Sequence, residues 1–405
     1  MKKILILGAG AQGGPCASIL ARDKDVSAIV LADINIDLAN KVKEKIKSDK
    51  ITAMKLDASK IEEIEKAARG ADVIINLTPL DFNVNIMGVA LSSGIPYVDA
   101  ASWNDVFEVD SKFQKTDSEF KQAGLTAFTN CGATPGITNV MARYVCDKLD
   151  SVAEIRIRIG GKALQKPKEV VRGWEPTWSP ETALTDFGLE PTVFENGKYN
   201  YPPPFSGPEE YRFPEPLGPV LVTHHTHEEP ATLPRFIGKG IKYCDFKYPI
   251  DPIAGSLVKM GFASYEPIEV KGVKVAPIHV VLKLVRHPVN TFLNETEETV
   301  KHPTSASFLV AEVTGAKSGD PVTYKIWMPP MTVEERLQIF RRLGTAQIFI
   351  ALPAAIAARM CVNGETPKGL ISPECVDPVR FLEISASMGA QLRFREVSSK
   401  EVSIS

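Results

Sequence analysis

The 405-residue sequence predicts an α/β protein: a doubly wound parallel sheet with an inserted α+β domain of mostly antiparallel strands. Three observations predict it. Apolar runs alternate with helical patterns through the first 130 residues. A glycine-rich turn joins the first run to the first helix. Beyond residue 130, strand-like runs follow one another with few helices between them.

Taken in order, KILILG (3–8) is a buried-strand run, and Gln12 to Arg22 carries Cys16, Ile19 and Leu20 at helical spacing. VSAIVLAD (26–33) is a second strand and the charged LANKVKEKIKS a second helix. ITAMKLD, ADVIINL, IPYVDA and LTAFTN continue as strands with helical stretches between, the pattern of right-handed crossovers. AEIRIRIGG (153–161) alternates apolar and basic residues, predicting a half-exposed strand. After a Pro- and aromatic-rich passage (166–219) come VLVTHHT, IKYCDFKY, PIHVVLKLV, SFLVAEVTG and VTYKIWM, all read as strands. The Ala-rich GTAQIFIALPAAIAARMCVNG (344–364) reads as a helix that returns to the first domain. The expected division is 1–130 for dinucleotide binding, 131–335 for substrate binding and dimerisation, and 336–405 as a helical segment.

Apolar residues at 44% and charged residues at 24% are ordinary for a globular protein, and a net charge of −2 gives no reason to expect nucleic acid. The apolar run from Ile4 to Leu7 is too short for a secretory signal, and Ile348–Ala358 is too short for a membrane span. Six dispersed cysteines without a CxxC pair read as reduced thiols in a cytoplasmic protein.

Gly8-x-Gly10-x-x-Gly13 sits where a strand meets a helix. Gly8 permits the turn, Gly10 admits a pyrophosphate past Ala11 and Gln12, and Gly13 lets helix and strand pack closely. Asp33 ends the second strand twenty residues later, placed to accept from a ribose 2′-hydroxyl. Such a dinucleotide-binding, or Rossmann, reading favours NAD over NADP, because Ile34, Asn35 and Ile36 offer no cation to a 2′-phosphate. The alternative makes the glycines a plain turn and Asp33 a helix cap.

Three stretches together resemble the saccharopine dehydrogenase family: the glycine opening, VIINLTPLDFN…GIPYVDAASW (73–103), and GLTAFTNCGATPGITNVMARY (124–144). Thr134 stands where many members carry aspartate in the turn 133–136. Within the family, LAD (31–33), PGITN (135–139) and WSPETALTDF (178–187) are similar to lysine 6-dehydrogenase-like members. The resemblance implies NAD-dependent hydride transfer at a C–N carbon of an amine or amino acid, by a homodimer. Oxidation of a lysine-like amine is the preferred form and opine-type reductive condensation the alternative. It also implies that Glu181 takes the place of an arginine that holds a substrate carboxylate in NADP-dependent relatives, and so suits a cationic amine beside Trp178.

Asn76 and Pro79 are expected to line the nicotinamide ribose, Asp57 the adenine side, and Asp99 the substrate or cofactor, with a plain turn cap as its alternative. Cys131 is read as a pocket wall, with a semialdehyde-dehydrogenase-like nucleophile as the competing role. Three of the six histidines crowd into VTHHTHEE (222–229). On a strand, His225 and His227 share a face. A neutral His227 would take a substrate proton and Glu228 hold a cationic head, whereas the bland reading is an exposed edge strand. Zinc is weighed and no metal is expected, since hydride transfer needs none. A non-catalytic NAD-binding sensor is the remaining alternative.

Overall fold

A computed structural model describes residues 1–164, 174, 176 and 178–400, so part of the Pro-rich passage lies outside the described residues. The first unit runs β1 (Lys2–Leu7), α1 (Gly13–Ala21), β2 (Val26–Asp33), α2 (Ile36–Ile46), β3 (Ile51–Lys55), α3 (Ile61–Ala68) and β4 (Val73–Asn76). It continues through α4 (Asn83–Ser92), β5 (Tyr97–Asp99), α5 (Asp105–Glu108), α6 (Asp110–Gln122), β6 (Thr126–Phe128) and α7 (Ile137–Cys146).

The second unit begins with β7 (Ser151–Ala163), α8 (Pro180–Thr185), β8 (Val193–Glu195), β9 (Lys198–Asn200), β10 (Glu209–Arg212) and β11 (Pro219–His224). Then come α9 (Glu229–Ile237), β12 (Tyr243–Tyr248), α10 (Pro252–Lys259), the hairpin β13 (Ile268–Val270) and β14 (Val273–Val275), and α11 (Pro277–Leu284). α12 (Val289–Leu293), α13 (Glu297–Lys301), β15 (Ser305–Lys317), β16 (Asp320–Met328) and α14 (Val333–Leu343) follow. The chain closes with α15 (Ala351–Asn363), β17 (Gly369–Ile371), α16 (Pro378–Met388) and β18 (Arg395–Ser399).

Among the described residues the first sheet has seven strands in the order β17-β6-β5-β4-β1-β2-β3, all paired in parallel. The order reverses beside β1, and the crevice at the carboxyl ends of β1 and β4 is where such sheets bind ligands. The C-terminal segment returns here: β17 adds to the sheet's edge through β6. The Ala-rich α15, with Ala354, Ala355, Ala357 and Ala358 fully buried, packs against α1. Small side chains allow that approach.

The second sheet is mixed, with nine strands among the described residues. Its pairs are antiparallel except β12 with β7. One core cluster runs unbroken from Ile4 and Ile6 of the first sheet through Val140 of α7 to Ile155 and Val313 of the second. The two units therefore share a core.

Three local expectations are corrected. PIHVVLKLV forms α11, not a strand: Pro277 starts it, and Pro277, Ile278 and Val281 share a buried face while Val280 and Leu284 stay exposed. The strand through the histidines stops at His224, and His225 to His227 are loop before α9. Arg158 on β7 is not half-exposed. Its guanidinium is buried, donating to Asp245 at 2.7 and 3.0 Å and to Glu209 at 2.9 Å.

Candidate active site

A cavity of about 1210 Å³ opens at the carboxyl edge of the parallel sheet and extends beneath the second sheet. Gly8, Gly10, Ala11, Gln12, Asp33, Ile34, Asp57, Asn76 and Pro79 line one end. Trp178, Glu181, His225, His227 and Glu228 line the other. Gly13 is expected in this set but lies behind the wall: a Cβ there would stand 1.8 Å from the Gly8 carbonyl oxygen. Gly10 faces open space, with nothing nearer to a Cβ than His287 Cε1 at 3.9 Å.

Those residues fit a dinucleotide. Asp33 accepts from the Ala9 amide through Oδ2 and from the Asn35 amide through Oδ1, each at 2.8 Å. These bonds aim the carboxylate at the crevice. It is not the cap of α2, because Asn35 accepts from the Leu38 amide and takes that role. Asn76 reaches the wall with its amide already spent: it donates to Asn83 and Tyr97 and accepts from Thr78. It shapes the turn rather than offering a free group to the ribose.

At the far end, Glu229 and Pro230 open α9, where an acid and a proline suit the first turn. The fully buried Glu229 carboxylate accepts from Thr134 at 2.6 Å and Thr138 at 2.7 Å, and pairs with His227 Nδ1 at 2.6 Å. Burial alone would raise its pKa, but His227 and the two hydroxyls hold it below the usual range. Asn104, on the loop after β5, donates to the His227 carbonyl at 3.1 Å and to Thr192 at 2.9 Å, tying the two units together here. The His227 ring stacks on Phe246 at 3.9 Å between centroids.

Burial disfavours a charged His227, yet Glu229, Glu228 and Asp186 outweigh it and lift the ring's pKa to about 9. At pH 7 it is an imidazolium, which corrects the expectation of a neutral base. Glu228 lies 3.3 Å from His227 Nδ1, and burial, opposed by His227, carries its pKa up to about 7. Asp186, just after α8, is pushed to about 7 in the same way. Two carboxyls that exchange a proton at neutral pH thus flank a fixed positive charge. Sequence reasoning missed Asp186 as a site residue. It stands inside the quoted WSPETALTDF, but no pattern distinguishes it from an ordinary helix-end acid.

His225 is buried, within 5.3 Å of Tyr248 and 4.7 Å of Phe187 between centroids. Burial drops its pKa to about 3, so it is a neutral wall. Trp178 meets Tyr248 edge-on, and Glu181 accepts from the Tyr265 hydroxyl. His224 turns away, facing Asp245 at 3.5 Å.

Two expectations fall. Asp99 does not line the cavity: it is buried beneath it, accepting from the Asn130 amide at 2.8 Å, Ser102 at 3.2 Å and Asn83 at 3.3 Å. It positions the loops on either side. Cys131 is no wall either. Its thiol points at the Phe128 and Thr129 carbonyls, and burial pushes its pKa well up, so the thiolate a nucleophile requires is not formed. His227, Glu228 and Glu229 also bring three ligand-type atoms within 4.8 Å. The oxygens of Glu229 are, however, already taken by His227 and two threonines.

The comparisons with known proteins bear on this site. Residues 4–128 match the saccharopine dehydrogenase NADP-binding domain, and residues 132–390 match the saccharopine dehydrogenase C-terminal domain. The chain belongs to the saccharopine dehydrogenase family. It is accordingly an oxidoreductase, acting on CH–NH carbons. It is similar to the carboxyaminopropylagmatine dehydrogenase of Synechocystis, 24% identical over 96% of both chains. The carboxynorspermidine synthase of Vibrio cholerae is 26% identical over 71% of this chain and 73% of its own. The fold matches the saccharopine dehydrogenase (L-Glu forming) of Saccharomyces cerevisiae with a TM-score of 0.68, at 16% identity over 98% of this chain and all of the other. All six cysteines are free, and among the described residues no helix is long and apolar enough to cross a membrane.

Proposed function

We propose that this family member transfers a hydride between the nicotinamide of NAD and the C–N carbon of a polycationic amine. The charge of the cavity carries the reading. Asp105, Glu108, Glu181, Asp186, Glu190 and Glu228 line its substrate end, and no lysine or arginine is among the described lining residues. Such walls attract ammonium groups, and the imidazolium of His227 is already paired with Glu229 and Glu228. The lysine-like substrate therefore ranks second to an amine of several charges, and the relatives named for carboxyaminopropylagmatine and carboxynorspermidine point to the same class of polyamine-derived substrate. Asp33 supports NAD, since its carboxylate repels a 2′-phosphate.

When bound, the dinucleotide accepts or gives the hydride. The protein's part is to hold the substrate nitrogen neutral at that moment. Glu228, with a pKa near 7, takes the ammonium proton, and His227 holds it in place with its positive charge. Asp186 shares the proton. Loss of hydride and proton turns the amine into an imine, which water splits into an aldehyde and a released amine or ammonia; the reverse sequence, aldehyde plus amine, is reductive condensation.

The test follows absorbance at 340 nm with NAD or NADP against spermidine-type polyamines, diamines, lysine and saccharopine, and with NADH against aldehyde–amine pairs. The expected result is polyamine turnover at a kcat/KM about tenfold or more above lysine, with NAD preferred. Faster turnover of lysine or saccharopine sinks the substrate reading, and dependence on NADP sinks the cofactor reading.

A further inference from the structure

We propose that His287, contributed by the second unit, binds the dinucleotide by donating a hydrogen bond from Nε2 to its ribose–pyrophosphate portion above Gly10. The proposal rests on the dinucleotide reading of the glycine crevice.

The segment carrying His287 is fastened to the first unit. Phe292 of α12 is fully buried, and its ring fills the face of α1 that Gly14 leaves bare: a Cβ at Gly14 would stand 2.8 Å from it. Two residues beyond α12, Glu295 accepts from the Ala346 amide at 3.0 Å, and its carbonyl accepts from Lys45 of α2 at 2.5 Å. The chain leading into α12 is therefore set across the N-terminal end of α1. His287 projects from it into the cavity, beside Gly10 and within electrostatic reach of Asp33.

The ring's tautomer is set as well. The Val289 amide donates to Nδ1 at 3.2 Å, which leaves the proton of the neutral imidazole on Nε2. His287 is exposed at the rim of the cavity, where partial desolvation lowers the ring's pKa, opposed by Asp33, so the neutral form prevails at pH 7. This matters because the crevice is short of donors. Asp33 and Asp57 only accept, and no described lysine or arginine lines it. Besides Gln12 and the backbone amides of the glycine turn, His287 is the side chain there that meets the acceptor oxygens of a ribose or pyrophosphate. Dinucleotide binding then also draws on both units at once.

The experiment measures Kd by NADH and NADPH fluorescence titration, without amine, for wild type and the His287→Ala, His287→Gln and His287→Phe variants, each checked for an unchanged melting transition. Loss of one neutral hydrogen bond predicts about fivefold weaker NADH binding for His287→Ala and His287→Phe. His287→Gln, which keeps an N–H donor, should return to within about twofold of wild type. His287→Phe keeps the ring and removes the donor, so the test stands even if His287→Ala fails to fold. Unchanged affinity in the Ala and Phe variants overturns the proposal. So does equal weakening in all three, which would mark a shape effect. Tighter NADPH than NADH binding by wild type would instead strike the NAD reading, and the His287 comparison would still be read on NADPH.

Discussion

Glu229→Gln separates charge from shape at the centre of the site. Glutamine has the same outline, its oxygen still accepts from Thr134 and Thr138, and only the negative charge beside His227 is lost. An opposite charge this close shifts a pKa by about 1–3 units. The 2.6 Å contact between largely buried partners places the effect toward the upper end. The His227 pKa, held at about 9, should fall by about two units, a coupling of about 3 kcal/mol. The assay is an NMR titration of the His227 Cε1–H resonance, assigned by its loss in His227→Gln. The ring's folded-state pKa lies above its unfolded value of about 6.5. Its contribution to stability is therefore whole below pH 6.5 and is lost as pH rises through about 9. Wild type should lose about 3 kcal/mol from this pair over that window, and Glu229→Gln much less. A wild-type ring titrating at or below 6.5, or one unmoved by the substitution, refutes the reasoning.

Three further outcomes follow from the geometry. Amine oxidation should rise with pH through about 7 as Glu228 ionises, and Glu228→Gln should lower kcat/KM about 100-fold and flatten that profile; a retained inflection would move the proton acceptor to Asp186. Gly13→Ala drives a methyl into the Gly8 carbonyl and should cost about 3 kcal/mol or more, seen in a denaturant melt as a sharp loss of stability or of folded protein. Cys131→Ala should keep turnover within about threefold while costing about 1 kcal/mol of stability. Abolished activity in a folded variant would revive the thiol mechanism.

Part of this was legible in the chain. The glycine turn, Asp33 and the strands of the first sheet are stretches whose meaning depends on neighbours in sequence. A strand end, a tight turn and a helix start lie within a dozen residues, so local spacing carries them. Glu181, Trp178, His225, His227 and Glu228 were singled out by composition and resemblance, and the structure brings all five to one cavity. What they do there was not legible. Whether His227 is a neutral base or an imidazolium depends on Glu229, Glu228 and Asp186, and on Thr134 in the turn before α7 and Thr138 in its first turn, about ninety residues away in sequence.

PIHVVLKLV reads as a strand yet forms α11, because a short run of Val, Ile and Leu suits either a strand or a helix with one buried face. Asp99 and Cys131 looked reactive because they end strands at the ligand edge. Only packing showed that loops from Ala100 and Gly132 pass above them. The sequence by itself determined the dinucleotide end, because the contacts there are made by backbone turns encoded locally. Tertiary structure alone decided the charge state of the substrate end, because burial and ion pairing are properties of groups brought together from distant parts of the chain.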